Sequence, residues 1–468
     1  MFQGVVKIMT SPPPLDTGFA PMFDVCESLR REAARAEKTA RVHIACLRHG
    51  GGCENFKMEF AAPLNARALR FCGRVVKFML WANGADELCV AAPEALGRRI
   101  VEDYSPGGAR AFDCETMAAA YGRPLKIRLL EEENMPPWVF SLRQDLGLPE
   151  TNTQTLGGHL DGCRLGFDLG ASDFKIAAVR DGETVFADEI PWTPVTASDP
   201  DYHFDLLQAG LKKAAAHLPR VDAIGGSSAG VIVDNEIKIA SLIRGVQDWK
   251  RPEAQRLFKR VQAAWGVPVE VANDGDVTAL AGAMSLGKNA LLGIAMGSSE
   301  AAGYIDRNGR LTGRLNELAF APVDFNPGAA QDEWSKDCGV GASYFSQQAV
   351  NRLAVERFGF QEHTPLPERL KIVQAAMAEG NRHAAEVYAT LGGYLGHTIP
   401  WYRLFYDFDT VLLLGRVMSG KGGELIVSTA RKILQERECG VVLSMPDEKA
   451  RRVGQCVAAA SLPRSPMK

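Results

Sequence analysis

The feature that most constrains this chain is the alternation of strand-period and helix-period segments that begins near Cys163 and runs to Met296. Three β runs, LGFDLG, FKIAAV and TVFADEI, are broken by Ala171-Ser172-Asp173 and by Asp181-Gly182, which predicts a meander of two tight hairpins. Helical periodicity near Phe204 to His217, Pro252 to Trp265 and Val277 to Leu286 then alternates with strand patterns near Ala223, over Val267 to Ala272 and over Leu291 to Met296. Such alternation builds α/β layers. The last third reads as mostly helical from Tyr344 to Tyr406, with one apolar strand, Thr410 to Leu414, and a helix after Gly423.

Upstream the pattern is different. Pro12, Pro13 and Pro14 forbid helix and interrupt sheet pairing, so residues 1 to about 22 read as a loose lead-in. A helix is expected over Val25 to Ala36, and strands over Val42 to Cys46, Phe56 to Phe60 and Val75 to Trp81, with turn material at His49 to Gly52 and Asn83-Gly84. This is a small α/β unit. Between Glu131 and Gly158 the composition turns to acid, proline and polar residues, which reads as a linker. The expected organisation is an amino-terminal α/β domain with linker, residues 1–155, followed by a body, 163–468.

Composition narrows the function classes. A net charge of -3 gives no global electrostatic argument for nucleic acid or an anionic membrane surface. Ten cysteines without a CxxC pair point to free thiols in a reducing compartment, the cytoplasm. No stretch approaches the roughly 20 apolar residues of a membrane span, and no basic leader with a cleavage site opens the chain. In the first 60 residues eight basic side chains face seven acidic ones, a poor balance for binding phosphates of DNA.

Three segments carry candidate chemistry. Asp168-Leu-Gly170-Ala-Ser172-Asp-Phe-Lys175 sits on the first hairpin of the meander: small residues at Gly170 to Ser172 let backbone N–H groups approach phosphate, Asp168 can hold Mg2+ through water, and Lys175 can offset phosphate charge. A plain hairpin is the alternative. Val269-Glu-Val-Ala-Asn273-Asp274-Gly275 is a strand ending in Asn-Asp before a helix, where ligands of α/β sheets bind and where a carboxylate can take a proton from an alcohol. The alternative is that Asp274 only caps the helix. Ile294-Ala-Met-Gly297-Ser298-Ser299-Glu300-Ala-Ala-Gly303 is a small-residue turn between strands that can bind phosphate through hydroxyls and N–H groups, with Glu300 opposing this unless a metal intervenes. Here too a hairpin without ligand stays open.

The order and spacing of these elements resemble the actin, hexokinase and Hsp70 superfamily, an α/β two-lobed actin-like ATPase (ribonuclease H-like) fold. Within it, Asn273-Asp274 followed by Val277-Thr-Ala-Leu-Ala-Gly282, then Asn316-Glu317-Leu318-Ala319-Phe320, are similar to the Asn-Asp motif and the Glu-Ile-Gly-His segment of the ROK family of sugar kinases and sugar-sensing repressors. The resemblance covers 163–468, with lobe I at about 163–275 and lobe II at about 276–468. It implies ATP and Mg2+ as cofactors, a small-molecule sugar as partner, and a homodimer as one form of assembly. It also implies Asp274 as general base, Asn273 and Glu317 on sugar hydroxyls, Ser228 and Gly230 in the sugar-side loop, and Asp168 organising Mg·ATP together with Gly170, Ser172, Lys175, Gly297, Ser298, Ser299 and Gly415.

The chain departs from the family in three places. Phe320 replaces the histidine, the zinc cysteine cluster is reduced to Cys338, and the glycine-rich phosphate turn becomes Ser298 to Gly303, so no zinc site is expected. A separate element, Gly415-Arg-Val-Met-Ser-Gly420-Lys421, matches GxxxxGK but has Gly422 where a hydroxyl ligates Mg2+ in a P-loop. The adenosine-side turn of the superfamily is the preferred reading of it. His43, Cys46, His49 and Cys53 fit no standard metal spacing.

Overall fold

The computed structural model describes residues 11–48, 52–135, 157–170, 173–361, 363–445 and 448–464, apart from the side chains of 448–453. The chain divides into two units. One comprises Met1–Thr151, Ala295–Ala301 and Arg314–Leu443; the other comprises Asn152–Ile294, Ala302–Gly313 and Ser444–Lys468. The segment before Asn152 groups with most of the last third of the chain.

In the first unit, strands β1 (Thr39–Leu47), β2 (Cys53–Ala61), β3 (Glu87–Ala91) and β4 (Lys126–Leu129) form a sheet in the order β2-β1-β3-β4. β1 pairs antiparallel with both β2 and β3, and β3 pairs parallel with β4. The expected strand Val75 to Trp81 is instead the end of an 18-residue helix, Ala66–Asn83. Asn65 caps its start by accepting from the Ala68 N–H at 2.9 Å, and Gly84, at φ 73°, closes it. Every residue from Arg74 to Asn83 is buried, the polar Arg74, Lys77 and Asn83 included, so over this half of the helix no solvent-facing stripe marks the 3.6-residue period.

The lead-in is likewise tied down. Phe19 is buried against the rings of Tyr344 and Tyr394, the Tyr394 hydroxyl donates to Asp16 at 2.6 Å, and the Leu15 N–H donates to the Thr390 hydroxyl at 3.1 Å. These partners are more than 300 residues away in sequence, which local pattern does not reveal. An ion network joins another pair of distant segments. Asp337 accepts from Arg74 at 2.6 Å and Arg110 at 2.7 Å, with the Lys77 ammonium at 3.4 Å; Lys77 also donates to Asp113 at 2.6 Å.

The second unit holds β5 (Cys163–Leu169), β6 (Asp173–Arg180), β7 (Glu183–Pro191), β8 (Ala223–Ser228), the small hairpin β9 (Val231–Val233) and β10 (Glu236–Ile239), and β11 (Val269–Asn273). Its main sheet runs β11-β8-β5-β6-β7. β5, β6 and β7 are the antiparallel meander, whereas β8 and β11 add in parallel to β5. Leu165, Phe167 and Leu169 point to one face, where they join a core with Leu211, Ile224, Phe258 and Val271. On the other face there is room for glycine alone: a Cβ on Gly166 or Gly225 would overlap the backbone of Cys456 or Ala459, so the helix Glu448–Ala460 lies directly on the strands.

Four further strands follow among the described residues: β12 (Leu291–Met296), β13 (Glu300–Ile305), the fully buried β14 (Thr410–Leu414) and β15 (Val442–Ser444). The helical third resolves into Gln347–Phe358, Leu366–Ala378 and Arg382–Tyr402. Among the described residues no helix is long and apolar enough to cross a membrane.

Candidate functional site

Parallel pairing of β5, β8 and β11 brings their carboxyl ends level. Asp168 lies opposite Ser227, which lies opposite Ala272; one residue on, Leu169, Ser228 and Asn273 form the next row. Asp274 follows as the first residue of helix Asp274–Leu286. The capping role falls to Asn273, whose Oδ1 accepts from the Gly275 N–H at 2.7 Å and whose amide donates to the Gly230 carbonyl at 2.8 Å. Asp274 Oδ1 accepts from the same Gly275 N–H at 2.9 Å.

Asp274 is half-buried, and its carboxyl is pushed up to about 6, first by burial and then by the charge of Asp168. That is a base poised near neutrality. Asp168 is buried and sits opposite Lys175 in the β5–β6 register, with the ammonium 3.4 Å from its Oδ2. Gly170 makes the hairpin: its N–H donates to the Asp173 carbonyl at 3.0 Å and its own carbonyl accepts from the Trp192 indole at 2.8 Å. Ser172 lies outside the described residues.

Of the two serines on β8, Ser228 turns to its own chain, 3.4 Å from the Ala229 carbonyl, while the buried Ser227 hydroxyl has no hydrogen-bond partner among the described residues. The register that puts Ser227 beside Asp168 is visible only once β5 and β8 are paired. Gly230 stands at φ 104°, and a Cβ there would overlap the Ile239 carbonyl. Gly230→Ala is therefore expected to lose about 1–3 kcal/mol of stability, read as a lowered midpoint in a denaturant melt.

In the other unit, Gly297 begins the turn between β12 and β13. Its N–H donates to the Ser299 carbonyl and its carbonyl accepts from the Gln347 N–H, both at 2.9 Å. Ser298 and Ser299 are exposed. Gly415, at φ 95°, leaves room for the Met296 backbone, so the ends of β14 and β12 lie together beside this turn. Glu300 is buried, and burial, with a smaller contribution from the Glu317 charge, pushes its carboxyl up to about 8. It is therefore neutral at pH 7, which removes the charge that the sequence set against phosphate at this turn.

Glu317 is half-buried, on a turn whose N–H groups reach back to the helix Ala66–Asn83: Asn316 to the Ala82 carbonyl and Glu317 to that of Trp81. Phe320 packs on Trp81 and Phe112, with ring centroids 4.4 and 5.4 Å away. An aromatic cluster thus forms around Phe320. Lys421 is no P-loop lysine, because its ammonium donates to the Ala378 carbonyl at 2.9 Å and a short helical turn, Arg416–Met418, replaces the phosphate wrap.

No family model and no curated protein matches the chain. Solved structures do. A ROK hexokinase from Thermus thermophilus is 19% identical, with a TM-score of 0.52, over 64% of this chain and 97% of its own. A ROK-family transcriptional regulator, a homolog of the E. coli MLC protein, is 20% identical with a TM-score of 0.52, over 65% of this chain and 79% of its own. The likeness at this identity is one of fold, and the fold is the actin-like α/β ATPase fold of the ROK proteins.

Proposed function

We propose that the chain is a ROK-type sugar kinase that transfers a phosphoryl group from ATP to a sugar hydroxyl, with Asp274 as general base. The observation that carries this is a carboxylate at the end of a parallel strand, raised into the neutral range and backed by a second carboxylate, Asp168. At pH 7 most of Asp274 is ionised, yet its proton affinity remains high enough to draw the proton from an alcohol as the new P–O bond forms. Asn273 holds the Gly230 carbonyl and the Gly275 N–H and so fixes the backbone that aims Asp274, and its second amide N–H is proposed on a sugar hydroxyl.

Two acidic oxygen donors beside one lysine suit a hard, oxygen-seeking cation. Asp168 is the residue that would hold Mg2+ through water, and Mg·ATP would supply the transferable phosphoryl group with part of its charge neutralised. Gly170, Lys175, Gly297, Ser298, Ser299 and Gly415 are proposed on the nucleotide side, and Glu317, with the Ser228 to Gly230 loop, on the sugar side. ADP release measured over hexoses and amino sugars tests the proposal. For an active sugar, kcat/KM is expected to rise tenfold per pH unit up to about 6 and then level off, as Asp274 loses its proton. A profile flat from pH 4.5 to 8 would remove Asp274 from the role of base.

A non-catalytic sugar sensor is the second reading. It is favoured by the loss of the glycine-rich phosphate turn at Ser298 to Gly303 and by the presence of a regulator among proteins of this fold. It predicts sugar binding without sugar-dependent ADP release.

A further inference from the structure

Glu300 is 4% exposed and opens β13. One carboxyl oxygen lies 3.5 Å from the Tyr402 hydroxyl; the other, Oε2, is buried with no hydrogen-bond partner among the described residues. The carboxyl occupies room that only glycine leaves, since a Cβ on Gly341 would overlap both Glu300 Oε2 and the Leu318 carbonyl. It therefore lies against the turn Asn316-Glu317-Leu318. That turn is held hard. Asn316 sits at φ 54°, its side chain accepts from the Tyr406 hydroxyl at 3.0 Å, and its N–H is bonded to the Ala82 carbonyl. The titratable groups that bear on Glu300 are Tyr402, from the helix Arg382–Tyr402, and Glu317, from the turn; the segment Gly341-Ala342-Ser343 brings none.

We propose that Glu300 is a positioning residue for sugar recognition: its buried carboxyl packs against the Glu317 turn and sets that turn so that Glu317 accepts hydrogen bonds from sugar hydroxyls. The inference rests on the assignment of Glu317 to the sugar side. Its consequence is an alkaline limit on sugar affinity. When Glu300 loses its proton, a second carboxylate is left with little solvation beside Glu317, and both the turn and its hydrogen bonding to the sugar are disturbed. Tyr402, itself raised by burial, stays protonated across this range and does not account for the change.

The test is calorimetric titration without nucleotide, from pH 6 to 9.5, using the tightest binder among glucose, mannose, N-acetylglucosamine and N-acetylmannosamine. The wild-type Kd is expected to be steady to about pH 7 and to weaken about tenfold by pH 9.5. Glu300→Gln, which copies the neutral acid in shape, should hold the pH 7 affinity and flatten the profile; Glu300→Ala should bind more weakly at every pH. Equal alkaline weakening in wild type and Glu300→Gln would overturn the proposal while leaving the kinase reading standing. Absence of binding by every sugar and variant would overturn both. A second measurement needs no sugar: the melting temperature of wild type relative to Glu300→Gln should fall as pH rises from 4.5 to 8 and then level off, and parallel curves would show that Glu300 is not a neutral acid.

Discussion

Asp274→Asn is expected to lower sugar phosphorylation by about 10²–10⁴-fold while sugar affinity changes little, because the amide keeps the shape and loses the ability to take a proton. A steady-state assay read beside a calorimetric titration separates the two effects. The same substitution is expected to stabilise the protein at pH 7.5. Burial and Asp168 raise the folded carboxyl to about 6, so the favourable contribution of the protonated form is complete below the ordinary aspartate range and is lost as pH rises through 6. Above that, the ionised carboxylate costs about 1–3 kcal/mol that asparagine does not. A variant that is less active and more stable above pH 6, with the stability gain vanishing near pH 4, is the signature of a functional base held at some expense to the fold. Loss of activity with equal loss of stability would instead make Asp274 a structural cap.

The second large effect is expected from Asp337. Its carboxylate is held well below the usual range by Arg74, Lys77 and Arg110, against the opposing effect of burial. Arg74 and Lys77 are almost wholly buried, and burial pulls the Lys77 ammonium down. Removing the shared partner leaves the buried Arg74 without its carboxylate, while Lys77 keeps Asp113, so Asp337→Ala should cost about 3–5 kcal/mol. By contrast Glu59→Ala, which breaks an ion pair with Arg41 that is half-exposed on both sides, should cost under about 1 kcal/mol. The sign with pH is opposite to that of Asp274. Stability from Asp337 is present above the ordinary aspartate range and is lost as pH falls through its lower folded value, so Asp337→Ala should remove part of the acid sensitivity below about pH 4.

Where local pattern decides structure, the sequence was legible. The limits expected for β12 and β14, Leu291–Met296 and Thr410–Leu414, are those observed, and the three runs of the meander pair as antiparallel strands. The Asn273-Asp274 step was legible as a strand end before a helix, although which of the two caps it was not. Helix Ala66–Asn83 escaped because its second half, Arg74 to Asn83, is buried on every side and shows no polar stripe, and length together with Asn65 and Gly84 was the remaining signal. The hairpin of β9 and β10 escaped although Asp234-Asn235, both at positive φ, is the turn that joins them. The place of residues 11–135 in the larger core rests on contacts such as Arg74 to Asp337, which no local window contains. Glu300 was read as a charge because its burial, and hence its neutrality, depends on Gly341 and Tyr402.

The most direct test of the account is a ³¹P NMR spectrum of the protein incubated at pH 7.5 with ATP, Mg2+ and each of a panel of hexoses and amino sugars. With at least one sugar the γ-phosphate signal is expected to be replaced by that of a phosphomonoester, and Asp274→Asn is expected to abolish the change. Unchanged ATP with every sugar, including one that binds by calorimetry, would contradict the account.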